Sequence, residues 1–198
     1  MSPLSVLRTA AVVLAALLTA WPLAAEDARE GRLRALSALT LYAPEDDGER
    51  QYLGLKDAQE KISLGQISAE ILIVEIFTIY CPHCQRHAPK ANDLYRAIDS
   101  RREFRNRIKM IGIGIGNSPY EVQLFKEKYS PPFPMLDDRN SAVMGAMEGI
   151  LTPHYLGFRI KNDSTLDVFY SKSGAFSDAE AFLDMIVKES GIQRGGNP

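Results

Sequence analysis

Two segments of the chain, 71–77 and 107–115, consist mostly of apolar residues without a regular alternation of polar and apolar positions. Continuous apolar runs of this length are typical of strands that are buried on both faces of a sheet. Glu75 is the only charged residue of the first segment. The pattern therefore predicts two strands in the interior of an α/β domain, one of which carries an acid.

Helices are predicted after each of these strands. The first begins in the turn Cys81–Cys84, runs to about Arg101 and contains Pro89, which should kink it. The second opens with a capping box at 118–121, in which a serine and a glutamate flank a proline at the first helical position. A third is predicted over 138–148, where a glycine follows.

The C-terminal part is predicted to add an antiparallel hairpin and a last helix. The segments 154–160 and 165–170 have the composition of strands and are joined by a short polar connection, while 132–136 predicts a short extended piece. A second capping box at 177–180 precedes an amphipathic helix that stops at Gly191. This order predicts a mixed central sheet with flanking helices, parallel crossovers first and the hairpin at one edge.

The N-terminal part gives weaker signals. Leu33, Leu36 and Leu39 indicate a short helical stretch, and residues 44–48 are typical of a turn or loop. With 198 residues, 45% of them hydrophobic, the chain is long enough for one domain with a good core and short for two.

The first 25 residues predict a secretory signal peptide. Arg8 precedes an apolar stretch that ends in small residues at Ala25, and charged residues begin directly afterwards. The stretch is shorter than the roughly 20 residues that a spanning helix needs, although an uncleaved membrane anchor remains the alternative. We therefore expect a periplasmic or otherwise exported protein.

The charge composition narrows the range of partners. The chain carries 23 basic and 25 acidic residues, a net charge of −2. Neither a basic face for phosphates nor an acidic tail is visible, so that nucleic acid is excluded as a partner.

The chain has only two cysteines, Cys81 and Cys84, and two of its three histidines lie beside them. Haem attachment is excluded, because glutamine rather than histidine follows the second cysteine. A purely structural disulfide would enclose two residues and constrain the unfolded chain little. Zinc would need distant ligands, of which only His154 is available. We predict no bound metal and no dissociable cofactor, while transient Cu(I) binding by the cysteine pair stays open.

The position of the cysteine pair, where a buried strand passes into a helix, favours redox chemistry. Unpaired N–H groups at the helix start stabilise a thiolate, which makes Cys81 the expected nucleophile. Cys84, one turn further, is expected to be buried and to resolve the mixed disulfide. His83 can add positive charge or a hydrogen bond to the Cys81 sulfur.

Two further features belong to the same hypothesis. An acid within so apolar a strand suggests that Glu75 is a buried general acid or base that exchanges a proton with Cys84 through water, although an acid at the strand edge facing solvent is the alternative. Thr152 and Pro153 precede a strand, where a trans proline is the default from the sequence alone. The other motifs favour a cis bond, which would face the cysteines and leave backbone free to pair with an extended substrate.

Together these motifs resemble the thioredoxin-fold superfamily. The run from Val74 to Cys84 matches its active-site strand and turn, with Glu75 at the buried-acid position, Pro89 at the helix kink and Pro153 at the cis-proline. The segment from about 62 to 191 resembles exported TlpA/ResA-like redoxins. The resemblance implies a thioredoxin-like sandwich with a strand–helix unit inserted before the cis-proline.

The active-site dipeptide departs from that subgroup. Pro82 and His83 resemble the oxidase DsbA, but residues 85–152 leave no room for the helical domain that DsbA inserts there. Tyr80 stands where thioredoxins and TlpA-like reductases usually carry tryptophan. A peroxiredoxin is disfavoured, because position 74 is valine rather than the proline of the peroxidatic motif.

These observations predict an extracytoplasmic thiol–disulfide oxidoreductase that exchanges its Cys81–Cys84 pair with cysteine-containing protein substrates. A TlpA-like reductant or isomerase is the first expectation, a DsbA-like oxidase the alternative, and a Cu(I) metallochaperone the alternative of another class. The substrate is expected to lie extended along Thr152 and over Tyr80, Pro82 and Pro153. A membrane-bound or soluble redox partner would recycle the pair.

The predicted organisation has four parts. They are a signal peptide at 1–25, an N-terminal extension that packs on the domain at 26–61, a thioredoxin-like domain at 62–192 and a flexible tail at 193–198.

Overall fold

The computed structural model describes residues 38–55 and 59–193, together with residues 31 and 35. The strands are β1 (Thr40–Tyr42), β2 (Lys61–Ser63), β3 (Ile71–Phe77), β4 (Ile108–Gly114), β5 (Met135–Asp137), β6 (His154–Ile160) and β7 (Leu166–Ser173). The helices are α1 (Asp47–Leu53), α2 (Pro82–Ser100), α3 (Pro119–Tyr129), α4 (Ala142–Ala146) and α5 (Ala179–Ser190).

Five of the strands form a mixed sheet in the order β5-β4-β3-β6-β7, with β3 at its centre. Strand β4 is parallel to both of its neighbours, β3 and β5, whereas β6 is antiparallel to both of its neighbours, β3 and β7. All seven residues of β3 are buried, which confirms the prediction from its continuous apolar sequence. The thioredoxin-like α/β fold predicted from the sequence is therefore correct, including the strand–helix unit formed by β5 and α4 before the cis-proline.

Side chains of β3 alternate between two cores, one on each face of the sheet. Ile73 and Phe77 contribute to a core with α2 and α5, while Leu72 and Ile76 contribute to a core with the small β1–β2 sheet and α1. Glu75 shares the face of Ile73 and Phe77, because side chains two apart along a strand point to the same side. The acid therefore faces the helix that carries the cysteines.

Helix α2 begins and ends close to the predicted positions. The Cys81 side chain is its N-cap and accepts a hydrogen bond from the backbone N–H of Cys84, and Pro82 occupies the first turn, where its missing N–H costs nothing. Pro89 lies inside the helix, as predicted.

The capping box at the start of α3 is confirmed, whereas the predicted helix over 138–148 is much shorter. The Asp138 carboxylate accepts hydrogen bonds from the N–H groups of Val143 and Met144, and Ser141 has a φ of 54°. These contacts hold 138–141 in a turn and delay the helix, so that α4 covers only 142–146.

Three other boundaries also differ from the predictions. The N-cap of α5 is Asp178, whose carboxylate accepts from the N–H of Ala181, so the capping box predicted at 177–180 is wrong. Strand β7 continues to Ser173. Part of the loop predicted at 44–48 belongs to α1, which Asp46 caps.

Not all of the N-terminal predictions can be compared with the structure. The predicted signal peptide lies outside the described residues, and so do Leu33 and Leu36 of the predicted helical stretch. Leu39 is described and belongs to no helix or strand. In the described part of the N-terminal region, β1 pairs with β2, and Leu41 and Leu53 are buried in the second core. No helix within the described ranges combines the length and the apolarity that crossing a membrane requires.

Candidate active site

The two cysteines lie where β3 passes into α2, at the sheet edge that also receives the loop before β6. Cys81 is partly exposed and Cys84 is buried, and both are free thiols. The Cys81 Sγ accepts from the backbone N–H of Cys84 at 3.4 Å, and its thiol donates to the Thr152 carbonyl oxygen at 3.3 Å. The Cys81 sulfur therefore lies between the start of a helix and the loop before β6.

The two thiols have opposite acidities. Burial raises the pKa of Cys81, but hydrogen bonds to its sulfur from the Thr152 and Cys84 side chains and from the Cys84 and His83 backbone outweigh burial, so the pKa lies below the ordinary value. Desolvation raises the pKa of Cys84 to about 12, against a weaker opposing contribution from a backbone hydrogen bond of Thr78. One sulfur is thus prepared to be a thiolate and the other to keep its proton.

Glu75 is 4% exposed and lies on the same side of the sheet as α2. Desolvation raises the pKa of its carboxyl to about 7, and the nearby Tyr155 hydroxyl opposes this shift. A carboxyl with this pKa can accept and return a proton near neutral pH. The alternative of an acid at the strand edge facing solvent is excluded by its burial.

The peptide bond between Thr152 and Pro153 is cis, as expected from the resemblance. The Pro153 carbonyl accepts from the N–H of Gly174 at 2.8 Å, so that the loop after β7 ties back to the cis-proline. Thr152 thereby presents both its carbonyl and its side chain to the Cys81 sulfur.

The other predicted site residues surround Cys81 on the surface. Pro82 and His83 are exposed, and the His83 Nδ1 lies 3.0 Å from the Arg86 guanidinium, which donates to it. Only the backbone of His83 reaches the sulfur. Tyr80 is 69% exposed, and its hydroxyl donates to the Glu121 carboxylate at the start of α3.

Sequence reasoning missed a buried residue that fixes the segment before the cysteines. The Asn117 side chain accepts from the N–H of Ile79 at 3.0 Å and donates to the Thr78 hydroxyl at 3.3 Å. Gln85 donates to the Ile79 carbonyl at 2.7 Å from the opposite side. The only available signal was a polar residue in the loop after the second buried strand, and no local pattern pairs Asn117 with a residue 38 positions away.

Two buried side chains beneath the cysteines, a tyrosine and a histidine, were also missed as site residues. Tyr155 and His87 are both buried, and their rings meet edge to face at a centroid distance of 5.8 Å. Phe176, from the loop after β7, covers His87 at 4.5 Å. His87 is therefore a helix residue facing the core, and its pKa is lowered to about 4, chiefly by burial.

In the part of the chain that the structure describes, no group of three or more histidine, cysteine, aspartate or glutamate side chains is arranged so that it could hold a metal ion. The soft donors at the site are the two cysteines, and His87 and His83 point away from them, one into the core and one to Arg86.

Residues 49–162 match the model of the AhpC/TSA family. No curated protein sequence matches the chain. Among solved structures, the chain is similar to a secreted disulfide oxidoreductase of Mycobacterium tuberculosis, with 17% identity, a TM-score of 0.51, and coverage of 78% of this chain and 97% of the other. StoA from Bacillus subtilis has 20% identity, a TM-score of 0.50, and coverage of 63% and 87%. A thioredoxin-like protein from Aeropyrum pernix has 18% identity, a TM-score of 0.51, and coverage of 84% and 98%.

Proposed function

The chain is an oxidoreductase that belongs to the AhpC/TSA family, and we propose that it exchanges disulfides with cysteine-containing proteins through Cys81 and Cys84. The observation that carries this proposal is the contrast between the two sulfurs. Cys81 is accessible, caps a helix and has a lowered pKa, whereas Cys84 lies one turn behind it, buried and with a raised pKa. A nucleophile and a resolving thiol need this division of properties.

In the reductive direction the Cys81 thiolate attacks a substrate disulfide, forms a mixed disulfide and releases one substrate sulfur as a thiolate. Cys84 then gives its proton to the Glu75 carboxylate and attacks the Cys81 sulfur. This step releases the second substrate thiolate and leaves the Cys81–Cys84 disulfide, so that two electrons pass from the protein to the substrate. A redox partner must supply two electrons to restore the dithiol.

We propose that the substrate segment lies against Thr152 and over Tyr80, with Pro82 and Pro153 forming the walls beside the sulfur. Leu151 is 75% exposed directly before Thr152, and Tyr80 is 69% exposed directly before Cys81. These side chains give apolar contact on both sides of the reacting atom, which suits a polypeptide substrate better than a small polar thiol.

A reductant or isomerase is the preferred direction, with an oxidase as the alternative. The His83 imidazole is engaged by Arg86, so the hydrogen bonds that stabilise the thiolate come from Thr152, from Cys84 and from the His83 backbone rather than from the imidazole. Since about 30 mV corresponds to about 1.4 kcal/mol, a single added hydrogen bond to the sulfur would shift the reduction potential by an amount on that order.

The proposal is tested by mixing the reduced protein with a peptide disulfide. We expect wild type to release both peptide thiols, Cys84→Ser to stop at a stable mixed disulfide on Cys81, and Cys81→Ser to be inactive. Retained exchange in Cys81→Ser would overturn the proposal. Equilibration of the pair with a glutathione buffer settles the direction: a potential well below that of glutathione supports a reductant, and one well above it supports an oxidase.

We also propose that the protein acts outside the cytosol. The leader pattern at 1–25 supports this location, and the similar Mycobacterium tuberculosis protein is secreted. N-terminal sequencing of the protein from a fractionated native host tests it. A mature start near residue 26 in the exported fraction is expected, and an intact leader in the cytosol would contradict it.

A further inference from the structure

Two buried side-chain atoms in the described residues have no hydrogen-bond partner, the Tyr155 hydroxyl and the His87 Nε2. Both belong to rings that contact each other beneath the cysteine pair. A buried polar atom without a partner destabilises the folded state, and such atoms are rare in folded proteins. Their coincidence next to the proposed reaction centre calls for a functional explanation.

Tyr155 is the direct cross-strand neighbour of Glu75. In the antiparallel pair of β3 and β6 the two residues are partners in register, and paired residues project from the same side of the sheet. Tyr155 is 1% exposed, so that its hydroxyl cannot turn to solvent. The hydroxyl lies close enough to the Glu75 carboxyl to lower its pKa, although the two do not reach full hydrogen-bond geometry.

The groups that face Tyr155 come from every element packed around it. Glu75 lies on β3, Cys84 and His87 on α2, and Tyr170 on β7, and the α5 side chain against its ring is the apolar Phe182. Among these, the Glu75 carboxylate is the one that carries a negative charge near neutral pH. It is therefore the strongest available acceptor for the tyrosine proton.

We propose that Tyr155 is a positioning residue of the resolving step, in which its hydroxyl donates to the Glu75 carboxylate and aims it at the Cys84 thiol. The inference rests on the proposed function and deepens it. The tyrosine keeps its own proton throughout, because desolvation raises its pKa well above the ordinary value. The proton that Cys84 loses goes to Glu75, and no further reactant is required.

The sign of the effect follows from what the hydroxyl stabilises. A donor favours the charged carboxylate over the neutral acid, so removing it raises the Glu75 pKa and leaves less of the base at neutral pH. A hydrogen bond to a charged group corresponds to roughly one pKa unit or more. Tyr155→Phe is therefore expected to move the midpoint of the resolving step upward by about one pH unit.

The experiment follows the rate at which Cys84 resolves a preformed mixed disulfide between about pH 5 and 9. Tyr155→Phe should be about tenfold slower below the midpoint and reach the wild-type rate at high pH, since only the charge equilibrium has changed. Tyr95→Phe, on α2 and away from the cysteines, is the matched control and should keep the wild-type profile. Glu75→Gln should remove the pH transition, and Tyr155→Phe should then have no further effect.

A purely structural role for Tyr155 would slow the reaction equally at all pH values without moving the midpoint, and that result would overturn the inference. A carboxyl ¹³C NMR titration of Glu75 provides a second measurement that does not need activity, and an unchanged Glu75 pKa in Tyr155→Phe would also overturn it. If wild type resolves the mixed disulfide normally and Tyr155→Phe gives the same pH profile, only this inference is overturned. Wild type that forms no mixed disulfide at all removes the proposed function as well.

Discussion

Glu75→Gln is expected to be more stable than wild type at alkaline pH. At acidic pH the substitution should not change how the free energy of unfolding depends on pH. The carboxyl is buried, and desolvation raises its pKa from 4.5 to about 7. Below pH 4.5 the acid is neutral in both the folded and the unfolded state. Between 4.5 and 7 the unfolded chain loses the proton while the folded protein keeps it, so stability falls as the pH rises.

The expected change in the free energy of unfolding follows from the shift in the Glu75 pKa. One pKa unit corresponds to about 1.36 kcal/mol, so ionising the buried carboxyl lowers the free energy of unfolding of wild type by about 3 kcal/mol once the pH exceeds 7. Glutamine has nearly the same shape and no charge to bury. The stability difference between Glu75→Gln and wild type should therefore grow by about 3 kcal/mol between about pH 4 and pH 8.

Urea denaturation of the reduced proteins at about pH 4, 6 and 8, followed by circular dichroism, measures this difference. His87, whose pKa is lowered from 6.5 to about 4 by burial, makes both proteins less stable as the pH falls from 6.5, and this contribution cancels between them. Glu103→Gln removes a carboxyl from the exposed surface; it is the control for the substitution itself and should not give a comparable gain in stability. A constant difference for Glu75→Gln would refute the burial and ionisation reasoning.

Three other predictions concern the loops and the thiols. Asn117→Ala is expected to lower the free energy of unfolding by about 1–3 kcal/mol in urea denaturation, because it leaves a part-buried N–H of the active-site segment without its acceptor. Gly65→Ala should lower the free energy of unfolding by at least about 2 kcal/mol in the same measurement, since a Cβ there would lie 2.0 Å from the Ser164 carbonyl oxygen. The control Gly145→Ala, in open space on α4, should be neutral or stabilising. Equal effects of the two substitutions would contradict the close approach of the two backbones at Gly65. As the pH is raised, iodoacetamide should begin to alkylate Cys81 several pH units before it alkylates Cys84, as followed by mass spectrometry. Equal reactivity of the two thiols would contradict the opposite pKa shifts.

Local sequence patterns predicted the elements that carry the cysteines, because the signals there are strong and agree with one another. The apolar run of β3 has nowhere to lie except between two cores, and the cysteine turn with Pro82 at its first position defines the start of α2. Cys81, Cys84 and Glu75 are each within a few residues of that junction. Their neighbourhood was therefore predictable from the chain order alone.

The remaining part of the site depends on contacts that no local pattern encodes. Asn117 reaches Ile79 across 38 positions, and Tyr155 meets Glu75 only because β6 lies antiparallel beside β3 in one register. The shortened α4 has the same origin, because Asp138 uses its carboxylate on N–H groups five and six residues ahead. The N-cap of α5 is also chosen by the fold, since serine at 177 and aspartate at 178 are both residue types that cap helices well, and the structure uses the second.

The side chain of Cys81, the proposed nucleophile, caps the helix that follows it, and this has a consequence for motion during the proposed reaction. A thiolate at Cys81 accepts the N–H of Cys84 and holds the first turn of α2 closed. When the sulfur enters a mixed disulfide it becomes neutral and a poorer acceptor, so the first turn loses its cap and frays. We expect amide hydrogen exchange at residues 83–85 to accelerate in the trapped mixed disulfide. The loosening would come at the moment when Cys84 has to approach the sulfur, and it would end when the cap is restored.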